Sequence, residues 1–436
     1  MVCGPAKKGR SVRVVFVFDH FGPYHVARVA AVAASMDFEV KGVELHPKSR
    51  TYGWDPSEAA NQFGFEKISL PEVNLRGREE RKALRAHLEK ALDRYAPDVV
   101  FVNGWGDFMS LETISWAKRY GCKLIVMSET RRADGNRSTM GEWIKGRIVR
   151  LCDAGLCGGE SHRDYLAELG LQKDRVSMGY NAVDNAFFSK TRTRNNGSDT
   201  PYFLASNRFV RRKNLSRLIQ AYAKYVGQIQ IKKALPWPLV MLGDGELRPE
   251  LKALCKNLGL PILDCEQADD LKLNSYKLKT PAEGGLVVFP GFRQVDEIRE
   301  FYAGAGAFIH PALEEPWGLV INEAMASGLP ILSSKNVGAA EELLHEGVNG
   351  FSFDPTSVED LAAALERLAE LPCTEREAMG AVSKSIISNW GPERFAQGVR
   401  EAVGVAMTRP SKRAGIFDRI FLEILIHNTA VRLMKI

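Results

Sequence analysis

The chain has 436 residues, too many for one hydrophobic core of ordinary size, so its length favours two domains. Apolar residues make up 45% of the sequence and charged residues 26%, which is typical of a globular protein and excludes a disordered chain. The formal net charge of +6 favours an anionic ligand or surface. Because no basic–aromatic array or zinc-finger spacing occurs, we expect no nucleic acid partner.

Cysteine usage and the apolar runs indicate the cellular compartment of the protein. The seven cysteines are scattered, odd in number and never spaced as C-x-x-C, which favours reduced thiols. The first ten residues are polar and basic and do not resemble a secretory signal. No apolar run reaches transmembrane length. We therefore expect a cytoplasmic protein.

Strand and helix patterns alternate through the first half of the chain. Apolar, β-branched runs predict strands at residues 12–18, 38–45, 63–69, 99–103, 123–127, 154–157 and 176–180. Helical patterns lie between several of them, at residues 27–34, 78–95 and 109–119. Strands that alternate with helices predict a parallel α/β sheet.

A polar segment, K-T-R-T-R-N-N-G-S-D-T at residues 190–200, predicts a linker. The alternation then restarts, with strands predicted at 202–205, 239–242, 286–289, 307–310, 330–333 and 350–353. Helices are predicted at 215–225, 360–370 and 393–403, and a loop insertion at 264–282. These patterns predict a domain at residues 1–195, a second at 196–390 and C-terminal helices at 391–436.

The segment H-P-A-L-E-E-P-W-G-L-V-I-N-E, residues 310–323, carries the most information about function. Two glutamates, Glu315 and Glu323, flank a predicted helix start at Gly318, Leu319 and Val320. Backbone N–H groups at a helix start suit a phosphate. Carboxylates are acceptors for hydroxyl groups, which sugars and riboses carry in quantity.

A basic segment follows the predicted strand 202–205. Arg208 is followed by Arg211-Arg212-Lys213 and then by a helix. A strand end, four cations and a helix start would suit a diphosphate. A solvated basic turn is the alternative interpretation.

The wider motif E-P-W-G-L-V-x-x-E-A-M-A-S-G-L-P resembles the signature of glycosyltransferase family 4, also called group 1. Members of this family are retaining enzymes of GT-B architecture, an α/β fold with two doubly wound Rossmann-like domains that face across a cleft. The resemblance is dense from residue 203 to 353 and looser in the first domain. It implies donor binding by the second domain, acceptor binding by the first, and C-terminal helices that cross back to the first domain.

The resemblance also assigns roles on the donor side. It implies that Arg208 and Lys213 hold the diphosphate of a nucleotide-diphosphate sugar, that Glu315 holds the sugar hydroxyls, and that Glu323 holds the ribose. The loop Gly291-Phe292 would lie against the base. Two departures occur in the basic segment, since Asn207 and Phe209 replace the family's usual glycine and leucine.

First-domain candidates lie at predicted strand ends. His20, Gly22, Tyr24 and His25 follow the first strand, and Gly22 would allow backbone to approach a phosphate. Family members commonly have a catalytic histidine near residues 128–130. This chain has none there, and Glu129 is the nearest polar candidate.

Arg131 and His162 are further candidates for contact with the acceptor, although a structural role fits His162 equally well. The predicted catalytic set is therefore Glu315, Lys213, Arg208 and Glu129.

We expect no metal and no cofactor, because no D-x-D motif occupies a suitable place and cations would stabilise the leaving diphosphate. The expected partners are a nucleotide-sugar donor and a glycan, lipid-linked or small-molecule acceptor. Two alternatives stay open: a GT-B sugar-nucleotide epimerase or hydrolase, and a non-catalytic sugar-nucleotide-binding subunit.

The C-terminal segment from residue 415 predicts an amphipathic helix. Phe417, Ile420, Phe421 and Ile424 fall near one helical face. We expect that face to pack on the protein itself. The alternative is peripheral contact with the inner face of a membrane.

Overall fold

The computed structural model describes residues 11–45, 64–72, 78–189, 201–265, 285–411 and 413–427. The chain divides into two compact units. The first unit comprises residues 1–183 and 390–436, and the second comprises residues 184–389.

The described residues form two sets of parallel strands. In chain order they are β1 (Val12–Phe18), β2 (Phe38–Glu44), β3 (Glu66–Ser69), β4 (Val99–Asn103), β5 (Lys123–Ser128), β6 (Ala154–Cys157), β7 (Val176–Met178), β8 (Phe203–Ser206), β9 (Leu239–Leu242), β10 (Ile262–Asp264), β11 (Val287–Gly291), β12 (Ala307–His310), β13 (Ile331–Ser334) and β14 (Gly350–Phe353).

Helices connect these strands in both units. They are α1 (Pro23–Ala34), α2 (Arg78–Tyr95), α3 (Phe108–Tyr120), α4 (Thr139–Val149), α5 (Glu160–Glu168), α6 (Asn185–Ser189), α7 (Leu215–Ile231), α8 (Arg248–Asn257), α9 (Val295–Gly304), α10 (Leu319–Ala326), α11 (Gly338–Leu343), α12 (Val358–Glu370), α13 (Cys373–Ile387), α14 (Pro392–Met407) and α15 (Ile416–His427). Each helix of the described ranges is too short or too polar to span a bilayer.

The first sheet has the strand order β3-β2-β1-β4-β5-β6-β7, with parallel pairing throughout. Both of its faces are covered: alternate residues of β1 enter two separate cores, with Phe16 in one and Val17 in the other. This explains why the strands read as continuous apolar runs. The order of the chain reverses between β1 and β4, and loops at such a reversal leave a crevice for ligands.

The second sheet has the strand order β10-β11-β9-β8-β12-β13-β14 and is also parallel. Its chain reversal falls between β8 and β12. The loops that leave these two strands carry the basic segment and the two-glutamate motif, so both predicted parts of the donor site lie beside one switch point.

Most predicted strands agree with the structure to within two residues. Helix α1 begins at Pro23 rather than at residue 27, because proline is well suited to the first helical turn. Helices α4, α8 and α13 were not predicted. The predicted linker 190–200 lies outside the described residues, as does most of the predicted insertion 264–282.

The predicted boundary at residue 195 differs from the structure, which places α6 in the second unit. The Asn185 side chain donates to the Ile387 carbonyl at 2.7 Å, and Ser327 Oγ donates to the Phe188 carbonyl at 3.2 Å. The Phe188 ring also packs edge-on against Tyr302 at 5.9 Å. These contacts place α6 in the second unit.

The two C-terminal helices belong to the first unit. In α14, Phe395 and Val399 join the core beneath the sheet, and the Phe395 ring lies 5.9 Å from Phe16. In α15, Leu422, Leu425 and Ile426 join the opposite core.

Most of the α15 face that we expected to be packed is exposed, although Phe421 is partly buried against the core. Phe417 is 78% exposed and Ile424 is 51% exposed. The rotation of the helix is set by an opposite stripe of leucine and isoleucine and by two ion pairs, Arg85 with Glu423 and Arg147 with Asp418. The sequence of this helix contains two apolar stripes, and the prediction placed the stripe with more aromatic residues against the protein.

Adjacent residues of α15 allow this docking to be tested. Leu425 is 3% exposed and Ile424 is 51% exposed. We expect Leu425→Ala to destabilise the protein by about 2–4 kcal/mol, because it leaves a cavity in a packed core. Ile424→Ala should change stability by less than about 0.5 kcal/mol. Urea unfolding of both variants decides the matter, and equal losses would contradict the docking described here.

Candidate functional site

The loops after β8 and β12 bring a lysine and a glutamate into direct contact. Lys213 ends a short 3₁₀ turn, Arg211–Lys213, and Glu315 lies five residues beyond β12. The Lys213 ammonium donates a hydrogen bond to Glu315 Oε2. Both residues are 8% exposed. The family resemblance implies separate roles for these two residues, and the structure joins them in one buried ion pair.

Further cations and a histidine surround this pair. Arg212 Nη1 lies 3.5 Å from Glu315 Oε1, and His310 Nε2 lies 3.5 Å from Glu315 Oε2. Arg208 is close enough to disfavour the charge on Lys213. With three cations against one carboxylate, the cluster carries a net positive charge, which suits a diphosphate.

Burial and neighbouring charges set the ionisation of the cluster. Burial alone would raise the pKa of Glu315, but His310, Lys213 and Arg212 together bring this pKa well below its usual value. Burial, followed by Lys213, lowers the pKa of His310. Burial also lowers the pKa of Lys213, which Glu315 opposes. Glu315 is therefore ionised at neutral pH, and His310 is neutral.

The start of α10 is held tightly beside the ion pair. Gly318 has φ +98°, and a Cβ placed there would lie 3.2 Å from Glu315 Cγ and 3.6 Å from His310 Nε2. Glycine is therefore required for both its backbone conformation and its lack of a side chain. Leu319 and Val320 form the first turn, whose N–H groups have no acceptor within the helix.

Backbone hydrogen bonds fix the loop between β12 and α10. The Glu315 carbonyl accepts from Gly338 N at 3.0 Å, and the Trp317 carbonyl accepts from Ala339 N at 2.9 Å. On the other side, the Arg212 carbonyl accepts from Leu313 N at 2.9 Å. The loop is tied to the segments that follow both neighbouring strands, so Glu315 is positioned without help from a ligand.

Glu323 lies within α10 rather than at its start. Its Oε2 accepts a hydrogen bond from the Tyr302 hydroxyl at 2.7 Å, and the residue is 2% exposed. Trp317 is fully buried and donates through Nε1 to Asn322 Oδ1 at 2.9 Å. The aromatic residue of the motif is thus a structural anchor for α10.

The loop Gly291-Phe292 lies at the end of β11, two strands away from β8. Phe292 is 37% exposed, so its ring offers an apolar surface. The intervening turn, residues 243–245, has a structural role. A Cβ at Gly243 would lie 1.9 Å from the Asn207 carbonyl oxygen.

In the first unit, the loop after β1 carries His20, Gly22 and Tyr24. Gly22 has φ −74°, and an added Cβ would meet nothing closer than 3.9 Å. The fold itself therefore gives no steric reason for glycine at this position. This contrasts with Gly243 and Gly318.

Glu44 fixes this loop and was not predicted. The fully buried carboxylate accepts from Phe21 N at 3.0 Å and from Ser69 Oγ at 2.6 Å, and Lys67 Nζ lies 2.7 Å away. A charged residue that ends an apolar strand was the available signal in the sequence.

His25 lies in the first turn of α1 and helps to cap it. Its Nδ1 lies 3.3 Å from Gly22 N and 3.1 Å from the His20 carbonyl, and its ring stacks on Phe18 at 4.2 Å. Burial, followed by the charge of Arg28, lowers the pKa of His25 to about 3. His25 is therefore neutral at physiological pH and has a structural role in the loop.

A buried arginine, Arg28 of α1, also escaped the sequence analysis. It is 1% exposed, donates through Nε to the Ala182 carbonyl at 2.8 Å, and lies over the Tyr180 ring at 5.0 Å. Glu129 is near enough to favour its charge. Tyr180 in turn donates to Asn103 Oδ1 at 2.8 Å, so side chains from the ends of β4, β5 and β7 meet at α1.

Two predicted acceptor candidates are buried within the first unit. Arg131 is 2% exposed and pairs with Asp134, with 2.8 Å between Nη2 and Oδ1. His162 is fully buried in α5. Within the described ranges, no group of three or more His, Cys, Asp or Glu side chains is arranged to hold a metal ion.

Two family models match this chain, one in each half. The Glycosyltransferase Family 4 model matches residues 23–187, and the Glycosyl transferases group 1 model matches residues 266–385.

Curated relatives share part of the sequence. The lipopolysaccharide core biosynthesis glycosyltransferase LpsE of Rhizobium meliloti (strain 1021) is 26% identical over 220 residues, which is 50% of this chain and 54% of that protein. Sucrose synthase of Acidithiobacillus caldus is 31% identical over 211 residues, 45% of this chain and 24% of that protein. The chain thus spans 54% or less of the length of these two relatives.

Solved structures share the fold. Anabaena HepE, in complex with UDP and glucose, gives a TM-score of 0.68 at 16% identity and covers 90% of this chain and 99% of its own. Sucrose-phosphate synthase from Thermosynechococcus elongatus gives 0.67 at 15% identity, with 90% and 98% covered. The two parallel seven-stranded sheets and these likenesses confirm the predicted α/β fold class. The chain belongs to the group 1 glycosyltransferases and has GT-B architecture.

Proposed function

We propose that this protein is a retaining, metal-independent glycosyltransferase that moves a sugar from a nucleotide-diphosphate sugar to a hydroxyl acceptor. The observation that carries the proposal is the Lys213–Glu315 pair with Arg208 and Arg212 beside the first turn of α10. It combines a net positive charge, an ionised carboxylate and helix N–H groups at one switch point.

The order of the strands supports an elongated donor. The ends of β11, β9, β8 and β12 are consecutive across the sheet, which separates the ends of β11 and β12 by three strand spacings, about 14 Å. We assign the base to Gly291 and Phe292, the diphosphate to Arg208 and Lys213, and the sugar to Glu315. Glu323 would accept a hydrogen bond from the ribose.

The proposed chemistry follows from these assignments. The bond between the anomeric carbon and the diphosphate oxygen breaks, and the leaving group gains negative charge. Arg208, Lys213 and the N–H groups of Leu319 and Val320 stabilise that charge. The acceptor oxygen bonds to the same face of the sugar, and its proton passes to the departing phosphate oxygen. No metal ion or cofactor is needed for this balance.

The first unit would supply the acceptor side. The loop that carries His20, Gly22 and Tyr24 lies at the switch point of its sheet, and Glu129 follows β5 two strands away. Because His25 and Arg131 have structural roles in the first unit, the proposal does not depend on a direct contact between either residue and the acceptor. Glycan, lipid-linked and small-molecule acceptors all present the required hydroxyl. A cytoplasmic location is part of the proposal and fits the odd number and scattered positions of the cysteines in the sequence.

Two other functions use the same donor site. A sugar-nucleotide epimerase or hydrolase would cleave the donor without a sugar acceptor, and a non-catalytic subunit would bind the donor without cleaving it.

The proposed function is tested by donor binding and turnover in the presence of EDTA. A thermal-shift screen of UDP-, GDP- and ADP-sugars should identify a donor, since a ligand at a hundred times its Kd adds about 2.7 kcal/mol of stability. Single turnover with that donor should then release nucleotide diphosphate with EDTA present, and an added acceptor should accelerate it. Binding without cleavage would indicate the non-catalytic function, and activity lost to EDTA would contradict metal independence.

Lys213 has a matched control in the same basic segment. We expect Lys213→Met to lower kcat by about a hundredfold, roughly 3 kcal/mol, and to weaken donor binding far less, because the diphosphate gains charge in the transition state. Arg211→Met removes a cation from an exposed neighbour and should stay within about threefold of the parent. Steady-state and single-turnover kinetics measure both, and a variant with raised KM but normal kcat would contradict the assignment to Lys213.

The contrast between two glycines tests phosphate approach in the first unit. Gly22→Ala should change stability by no more than about 1 kcal/mol, the range for an N-cap, yet should weaken donor binding or turnover at least about tenfold. Gly243→Ala should instead destabilise the protein by about 2 kcal/mol or more, since its Cβ has no space. Denaturant unfolding and donor titration separate the two. A Gly22→Ala protein with normal kinetics would remove this loop from the donor site.

A further inference from the structure

An exposed apolar surface spans two helices of the first unit. It comprises Met140 and Trp143 of α4 and Ile416, Phe417, Ile420 and Ile424 of α15, which we call the α4–α15 patch. These side chains are 69%, 54%, 71%, 78%, 53% and 51% exposed, respectively. Scattered exposed hydrophobic residues are ordinary, but several on adjoining helices mark an interaction site.

Helix α15 has two apolar faces, and only one is used by the fold. Leu422, Leu425 and Ile426 are at most 5% exposed and join a core of the first unit. At 100° per residue, Phe417, Ile420 and Ile424 point about half a turn away from them. A surface helix normally has a polar outer face, so the second apolar face is not explained by folding.

Side-chain contacts hold α4 and α15 next to each other. The rings of Trp143 and Phe421 meet edge-to-face with centroids 5.7 Å apart. The Arg147 guanidinium lies 5.6 Å from the Trp143 ring centroid and 5.0 Å from that of Phe421. Arg147 also pairs with Asp418 at 2.5 Å. The exposed residues on the two helices therefore belong to one surface.

The charges around this surface are predominantly positive once pairing is considered. The acidic residues Asp418, Glu423 and Glu142 pair with Arg147, Arg85 and Lys145, respectively. Arg419 is an exposed residue of α15, and Arg413 is exposed three residues before that helix begins. Apolar side chains flanked by exposed arginines are suited to the boundary between acyl chains and anionic headgroups.

We propose that the α4–α15 patch docks on an anionic lipid surface, with α15 lying flat in the headgroup region. A second copy of the chain fits less well, because a two-fold contact would bring the same arginines of each copy together. Phosphate headgroups neutralise those arginines, and the acyl boundary covers Phe417 and Ile420. The proposal concerns where the protein binds and does not depend on the reaction it catalyses.

Vesicle sedimentation with the full chain tests the proposal. The protein should sediment with phosphatidylglycerol–phosphatidylcholine vesicles and much less with phosphatidylcholine alone. Binding should weaken as salt is raised from about 0.05 M to about 0.5 M, because the electrostatic part is screened. The variant Phe417→Ser/Ile420→Ser should lower the partition coefficient at least about tenfold.

Two control variants separate docking from general stickiness and from charge alone. Ile231→Ser/Leu235→Ser removes side chains that are 84% and 58% exposed in the second unit and should leave vesicle binding unchanged. Arg419→Glu should reduce binding to anionic vesicles about tenfold and binding to neutral vesicles little. Circular dichroism and urea unfolding should show all variants folded as the parent.

Trp143 supplies a direct optical signal of docking. Among the described tryptophans the other five are at most 8% exposed, so Trp143 is the one whose surroundings change most at this surface. Its emission should shift to shorter wavelength with anionic vesicles, and Trp143→Phe should lose that shift. Equal binding by the parent and the Phe417→Ser/Ile420→Ser variant would overturn the proposal. So would a parent dimer that this variant converts to a monomer while neither binds vesicles.

Discussion

A buried ion pair between two neighbouring strand ends constrains the second unit. Removing a lysine and a glutamate from water is costly, and their attraction offsets the cost only when the geometry is accurate and further partners are present. Arg212 and His310 supply those partners on the carboxylate side. The left-handed Gly318 and the backbone bonds from residues 338 and 339 hold the carboxylate in place. Much of the local sequence is therefore explained by the need to keep Glu315 charged where water is scarce.

Asn214 shows how the two loops are joined. It adopts φ +59°, which is uncommon for a residue other than glycine. Its side-chain nitrogen donates to the carbonyls of Pro311 at 3.0 Å and Pro355 at 2.8 Å. The loop that follows Lys213 is thus fastened to the loop that precedes Glu315. Pairing and backbone strain support each other here, which is the arrangement expected where function needs fixed side chains.

The structural features that depend on neighbouring residues in the sequence were predicted correctly. The bounds of β1, β4, β9, β12 and β14 were predicted to the residue, because buried parallel strands read as short apolar runs ended by polar or glycine residues. The helix start at Gly318 was predicted because its signals lie within one loop and one helix. The Lys213–Glu315 contact was not, since it joins residues 102 apart in the chain. The contacts of Glu44 and Arg28 were not predicted for the same reason, because their partners lie in other segments of the chain.

The wrong face of α15 has a different origin. Both faces are apolar, so periodicity could not distinguish the packed stripe from the exposed one. The rotation is set by the packing of Leu422, Leu425 and Ile426 together with the ion pairs Arg85–Glu423 and Arg147–Asp418, and these partners lie far away in sequence. The predicted domain boundary at residue 195 lies beyond α6, whereas the second unit begins at Asp184. The difference arises because a polar segment was interpreted as the end of the first domain.

The first unit is assembled from two stretches of chain, and the residues of the second unit lie between them in the sequence. During synthesis, residues 184–389 therefore emerge complete before Phe395 and Val399 are made. Until then, the face of the first sheet that carries Phe16 lacks part of its cover. Domains generally fold as units and from the N-terminus during translation. Here all residues of the second unit are synthesised before the first unit is complete, so one apolar face of the first sheet stays partly uncovered until α14 is made.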